Sequence, residues 1–393
     1  MSGPAQTPLR IALAAGEASG DNLGADLIAA LRQLEPGAEF FGVAGERMIE
    51  AGCEAWHRSE ELSVMGLAEV LPHLPRLLRM RRDFIRRLVR VRPDIYVGID
   101  SSDFNLPVEQ ALKDVTIPAV QYVSPQVWAW RQSRVAKIGA ATDLVLCLLP
   151  FEVEFYAQHT VRAQFVGHPL ADMIPFEVDQ QGARRALGLT QEGPLIAILP
   201  GSRRSEVSRL SRDFLGTAAW LKQARPELNF VVALANETVG GICRAAAAEL
   251  GLAEPEVSFV TGRAREAMAA ADAVLTASGT ASLEALLLKR PMVVAHRLSP
   301  LTYWLARSMG IARLPHFSLP NLLAGRGIVP EYVQRQVRPD ILGPAVLGCL
   351  EGGALDPDWH ANFTSIHEQL CRGASRSAAE AILQLVYARH SNP

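Results

Sequence analysis

The chain has 393 residues, 49% of them apolar, and a formal net charge of -2 at pH 7. That is long for one α/β domain and comfortable for two. The near balance of Lys+Arg 39 against Asp+Glu 41 excludes a general nucleic-acid binder, which is basic overall.

Five scattered cysteines without a CxxC pair read as reduced, small buried hydrophobes of a cytosolic protein. The first apolar run, 11–15, is too short for a signal-peptide core, and no stretch reaches the ~18 apolar residues of a membrane span. In chain order, β-branched or apolar runs predict strands at 10–15, 40–44, 94–99, 119–123 and 143–148, then at 195–199, 229–234, 257–260, 273–276 and 292–295. Amphipathic stretches predict helices at 22–34, 74–91, 205–224, 238–250, 264–270 and 281–288, and again at 361–370 and 375–388. This alternation predicts parallel sheets with right-handed crossovers, covered by helices on both faces.

The pattern restarts. Strand-then-glycine occurs at 9–16 and again at 195–201, with turn-rich residues 167–194 between and a linker near 169–179. The fold class is therefore α/β, with two Rossmann-like domains facing a central cleft and C-terminal helices. The expected division is 1–170, 171–340 and a helical tail 341–393 that packs back on the first half or on a partner protomer. Ligands of such sheets sit at the carboxyl ends of the strands.

The strand-to-helix loops carry the candidate chemistry. Leu199-Pro200-Gly201-Ser202-Arg203 ends a strand and opens a helix. Gly201 permits a tight turn, the N–H groups that follow attract phosphate, and Arg203 adds a charge-assisted contact; an ordinary strand-to-helix turn is the competing explanation. Ser278-Gly279-Thr280 repeats the arrangement, with Glu284 one turn inside the helix as an acceptor for ribose hydroxyls or as half of a capping box. Two such loops in one half predict a nucleotide-diphosphate site.

In the first half, Gly98-Ile99-Asp100-Ser101-Ser102-Asp103 delivers carboxylates to the strand end. Asp100 is the preferred base, and Asp103 reads as a loop cap. Gly16-Glu17-Ala18-Ser19-Gly20-Asp21 follows the first strand, so Gly16, Glu17 and Ser19 form a second loop beside the cleft, while Asp21 reads as a helix cap. Trp128 and Trp130 suit packing on a sugar or acyl surface, or anchor a long loop. From Arg76 to Arg92 there are eight arginines and one acid, Asp83, interleaved with leucines at helical spacing. Such a helix either meets anionic lipid or packs its leucines inward. His168, His296 and His316 have no metal-ligand spacing, so no metal and no cofactor is expected.

These segments, with Val43-Ala44-Gly45, Val64-Met65-Gly66, Tyr122-Val123-Ser124-Pro125-Gln126-Val127-Trp128-Ala129-Trp130-Arg131 and Ser318-Leu319-Pro320-Asn321-Leu322-Leu323-Ala324-Gly325, resemble the lipid-A-disaccharide synthase family in order over nearly the whole chain. The resemblance implies a GT-B fold and a metal-independent, inverting hexosyltransferase of lipid A biosynthesis. It would join UDP-2,3-diacylglucosamine to 2,3-diacylglucosamine 1-phosphate (lipid X), forming a β(1→6) disaccharide and UDP. By motif, Asp100 would be the base, Arg203 would neutralise the leaving diphosphate and Asn321 would line the donor site. Where the family motif has Ala-Pro-Asp after that aspartate, this chain has Ser101-Ser102-Asp103. The protein would be cytoplasmic, peripheral on the anionic inner membrane through the region from Met65 to Arg87, and a monomer or homodimer. A UDP-sugar epimerase and a non-catalytic lipid-binding adaptor are the alternatives; formation of disaccharide and UDP separates them.

Overall fold

The computed structural model describes residues 8–62, 67–130, 134–252, 256–299, 315–352 and 356–390. Contacts divide the chain into two units: Met1–Asp172 with Leu370–Pro393, and Met173–Gln369.

The first unit is built on a seven-stranded sheet in the order β3-β2-β1-β4-β5-β6-β7. Its strands are β1 (Arg10–Ala15), β2 (Glu39–Ala44), β3 (Glu54–Arg58), β4 (Ile95–Ile99), β5 (Ala119–Tyr122), β6 (Leu144–Cys147) and β7 (Ala163–Phe165). Every pairing is parallel. Side chains alternate across the sheet. Ile11, Leu13 and Ala15 pack with Leu27 and Leu31 of the helix Ala18–Leu34 and with Ile382 of the last helix, Ala374–His390. Ala12 and Ala14 face the opposite layer, made by Met80, Phe84 and Leu88 of Leu67–Val91 and by Val108 and Leu112 of Ser102–Lys113.

The second unit carries a six-stranded parallel sheet, β10-β9-β8-β11-β12-β13. The strands are β8 (Leu195–Leu199), β9 (Asn229–Leu234), β10 (Val257–Thr261), β11 (Ala273–Ala277), β12 (Met292–His296) and β13 (Glu331–Val333). Long helices cross back over it, among them Arg204–Ala224, Glu237–Glu249 and Pro339–Leu350.

In each unit the strand order reverses once, between β1 and β4 and between β8 and β11. Loops diverge at such a point and leave a crevice at the strand ends. The C-terminal stretch expected as a single tail is parted by its packing. Pro339–Leu350 and Trp359–Leu370 fall almost wholly in the second unit, and Ala374–His390 belongs to the first. Buried Ala378, Ile382 and Val386 explain the last assignment, because they complete the layer over β1. Among the described residues no helix is long and apolar enough to cross a membrane.

Candidate active site

At the reversal of the first sheet, Ala15 of β1 pairs with Ile99 of β4, so the Gly16 and Asp100 loops leave side by side. They are in contact: a Cβ on Gly16 would lie 2.4 Å from Ser101 Oγ, so only glycine fits there. Glu17 and Ser19 are exposed at the start of the helix Ala18–Leu34. Asp21 does not cap that helix. Its carboxylate accepts from the backbone N–H groups of Gly45 (2.8 Å), Arg47 (2.9 Å) and Met48 (3.1 Å), and so ties the loop after β2 to the loop after β1.

Asp100 and Ser101 are consecutive non-glycine residues at positive φ, +52° and +33°. Such a turn costs on the order of 1–3 kcal/mol per residue and persists only when its surroundings hold it. Here the Asp100 N–H donates to Tyr122 O at 2.8 Å. Its carbonyl accepts from Gln121 Nε2 at 2.9 Å and Asn105 Nδ2 at 3.1 Å. Asn105 Oδ1 is held in turn by the Tyr96 hydroxyl at 2.7 Å. Burial raises the Asp100 carboxyl above the usual aspartate range, against a backbone hydrogen bond from Ser101. A carboxylate so tuned is a better proton acceptor. Asp103 points elsewhere and pairs with Arg134 at 2.6 Å. Gln121, Asn105 and Glu109 were not singled out from the sequence. Their signal was a polar residue inside an otherwise apolar strand or helix face.

The Trp128 ring stacks edge-on against Phe151 at 4.9 Å, so this tryptophan anchors its own loop. Beside it Ser124 Oγ lies 3.1 Å from the Tyr156 hydroxyl, and buried Glu152 accepts from Leu149 N–H at 3.1 Å. Burial pushes the Glu152 carboxyl up to about 7. The Trp130 side chain and Arg131 lie outside the described residues.

In the second unit, Gly201 (φ +119°) turns the chain after β8 and Gly279 (φ +135°) turns it after β11. The two strands are neighbours, so Gly201-Ser202-Arg203 and Ser278-Gly279-Thr280 flank the reversal. Both loops were expected to play one role, and the structure separates them. Glu206, at the third helical position, accepts from the backbone N–H groups of Ser202 and Arg203 and lies over Gly201. The N–H groups expected for phosphate are therefore already engaged in the first loop. An acid three residues beyond a helix start is the sign of this back-reaching cap. Arg203 itself is exposed. The helix Thr280–Leu287 has no side-chain cap, and its dipole gives the N-terminus a partial positive charge. Ser278 Oγ lies 2.7 Å from His296 Nδ1, and burial, with Arg209 nearby, holds that imidazole below its ordinary range. The ring and the hydroxyl hold each other in place.

Glu284 Oε2 accepts from Arg265 Nε at 3.1 Å. Asn321, expected to line the donor site, is buried and spent locally. Its amide oxygen accepts from Ile328 N–H (2.7 Å) and Val329 N–H (2.9 Å), and its amide nitrogen donates to Val329 O (2.9 Å). It shapes the 318–329 loop. Among the described residues no three His, Cys, Asp or Glu side chains gather as a metal site would require.

The basic helix divides along its length. Met80, Phe84 and Leu88 pack inward, and Arg87 covers the Trp56 ring at 3.8 Å. Toward its start Leu74 is exposed and Leu77 and Leu78 are half-buried among Arg76, Arg79 and Arg82. Met65 and its neighbours 63–66 lie outside the described residues.

Comparison with solved structures supports this architecture. The glycotransferase of kitacinnamycin superposes with a TM-score of 0.66 at 18% identity, covering 97% of this chain and 100% of that one. A UDP-GlcNAc 2-epimerase from Neisseria meningitidis, bound to UDP-GlcNAc, gives 0.63 at 12%, covering 96% and 100%. MurG of Acinetobacter baumannii gives 0.56 at 13%, covering 96% and 100%. The fold is GT-B, with two parallel-sheet α/β domains and a helical C-terminus. In sequence, the lipid-A-disaccharide synthase of Escherichia coli O1:K1 is 49% identical over 384 residues, 97% of this chain and 99% of that protein. That of Escherichia coli O7:K1 is 48% identical over 380 residues, with 97% and 99% covered. The family described as lipid-A-disaccharide synthetase matches residues 11–384, and with these relatives it shows that the chain belongs to the lipid-A-disaccharide synthase family.

Proposed function

We propose that the protein transfers a 2,3-diacylglucosaminyl group from its UDP derivative to the 6-hydroxyl of 2,3-diacylglucosamine 1-phosphate, with inversion at the anomeric carbon. The observation that supports this reading most directly is Asp100, a half-buried carboxylate with a raised proton affinity at the reversal of the first sheet. One displacement needs one base and a stabilised leaving group, without a second carboxylate as nucleophile. Asp100 takes the acceptor proton as the C–O bond forms and the bond to the diphosphate breaks. The departing UDP carries the electron pair, and its charge is met by Arg203 and the N-terminus of Thr280–Leu287. Ser278, held by His296, and Glu284 complete the donor side, with Glu284 turned toward the ribose. Gly16, Glu17 and Ser19 offer room and polarity beside Asp100 for the acceptor.

Both substrates carry acyl chains, so the enzyme works at a lipid surface. The exposed Leu74 of the Leu67–Val91 helix, among Arg76, Arg79 and Arg82, has the surroundings for docking on anionic lipid. The test is incubation of the purified protein with UDP-2,3-diacylglucosamine and lipid X in anionic micelles. Equimolar disaccharide 1-phosphate and UDP are expected. UDP release without disaccharide would point to hydrolysis or epimerisation and sink the proposal.

A further inference from the structure

The turn that aims Asp100 rests on a side chain that is satisfied at one end only. Gln121 Nε2 donates to Asp100 O (2.9 Å) and Val123 O (3.2 Å), and both residues have positive φ. Gln121 Oε1, however, is buried without a hydrogen-bond donor. The NH₂ end sets the amide's orientation, because a flip would turn its oxygen against the Asp100 and Val123 carbonyls, but the oxygen end is left as a buried acceptor that a donor would satisfy.

One other group nearby is unsatisfied in the complementary sense. Glu109 is completely buried in the helix Ser102–Lys113, and neither carboxyl oxygen has a partner. A bare carboxylate there would carry the desolvation cost of an unpaired buried ion. Burial lifts its carboxyl well above the usual glutamate range and so favours the acid form, which has an O–H to give. Its place is fixed by Gly98: a Cβ there would lie 2.3 Å from Glu109 Oε1. Gly98 of β4 pairs with Gln121 of β5, and paired residues of parallel neighbours point to the same face. The glycine thus opens the space in which an acid side chain sits beside the Gln121 amide.

We propose that Glu109 is a positioning residue for Asp100: its carboxyl, in the acid form, donates to Gln121 Oε1 and locks the amide whose NH₂ group holds the Asp100–Ser101 turn. This rests on Asp100 being the base. Glu109 touches no substrate and acts only through Gln121.

The test pairs an isostere with a group of like size that cannot donate. Glu109→Gln keeps a neutral donor in place, and Glu109→Met removes it. In the full-length enzyme, Glu109→Met should lower kcat by ~10–10²-fold with KM for both substrates nearly unchanged, and Glu109→Gln should recover most of that loss. Infrared difference spectra of wild type against Glu109→Gln at neutral pH should show the C=O band of a protonated carboxyl, and this reading stands even where Glu109→Met does not fold. Normal kcat in Glu109→Met, equal loss in both variants, or no protonated-carboxyl band would each overturn the proposal. Failure of the base assignment looks different: Asp100→Ala would then keep its turnover while the infrared band remained.

Discussion

At the β1/β4 reversal the loops carry acids over a buried polar layer, Asp100 above Asn105, Gln121 and Glu109. At the β8/β11 reversal the loops carry a serine, an uncapped helix start and an exposed arginine. Strand order and glycine placement are alike in the two units, yet the electrostatics are opposite. In the first, desolvation raises proton affinity. In the second, dipoles and a cation favour anions. Topology places the crevice; the few residues after each strand decide whether its electrostatics favour a proton or an anion.

The strongest way to break this contrast is to remove the acid. Asp100→Ala should reduce kcat by ~10²–10⁴ with an unchanged thermal transition, measured by disaccharide formation. Turnover near wild type would take the base out of the first unit. On the same unit, replacing Leu74, Leu77 and Leu78 by serine should weaken sedimentation with anionic vesicles by about 10²-fold, since each leucine contributes on the order of 1 kcal/mol when covered. Unchanged co-sedimentation of a folded triple variant would leave the helix a packed scaffold element. In the second unit, Arg203→Ala should cost ~10–10² in kcat/KM for the UDP-sugar, and Arg203→Lys should restore only part of it, because a bidentate fork becomes a point charge. An equal loss with truncated donors lacking the diphosphate would disconnect Arg203 from the leaving group.

The sequence made the central strands legible because β1, β4, β8 and β11 are continuous apolar runs buried on both faces. It missed β3, β7 and β13, and all three lie at sheet edges. Glu-Ala-Trp-His-Arg, Ala-Gln-Phe and Glu-Tyr-Val are short and half-exposed, so no apolar run marks them. Loops at strand ends were legible from glycines. Partners were not. Asp21 looked like a cap for the next helix, yet it binds N–H groups 24 to 27 residues away. Asn321 looked like a ligand contact, and the bonds it makes to Ile328 and Val329 were not legible. Glu109 was hidden because Pro107 argues against a helix there, whereas burial of Leu106, Val108 and Leu112 outweighs one missing backbone donor. Hydrogen-bonding type is written in a sequence, but the partner across the fold is not.

The smallest effect concerns a second buried acid of the first unit and tests whether desolvation governs that region beyond Asp100. Glu152 is held up at about 7 by burial, against an ordinary 4.5, although it accepts from the Leu149 N–H. Between those values the folded chain keeps a proton that the unfolded chain has released. Stability must then fall as pH rises through the window. Glu152→Gln keeps the shape and the acceptor but has no proton to lose. Relative to wild type it should gain about 2 kcal/mol between pH 5 and pH 7, read from urea or thermal midpoints. His168, held down at about 4, pulls the other way, because stability rises as pH rises toward its unfolded value. That contribution is common to both proteins and cancels in the difference. Parallel curves for the variant and wild type across this window would show that Glu152 is ionised in the folded chain, and the first unit's acids would then owe their protons to something other than burial.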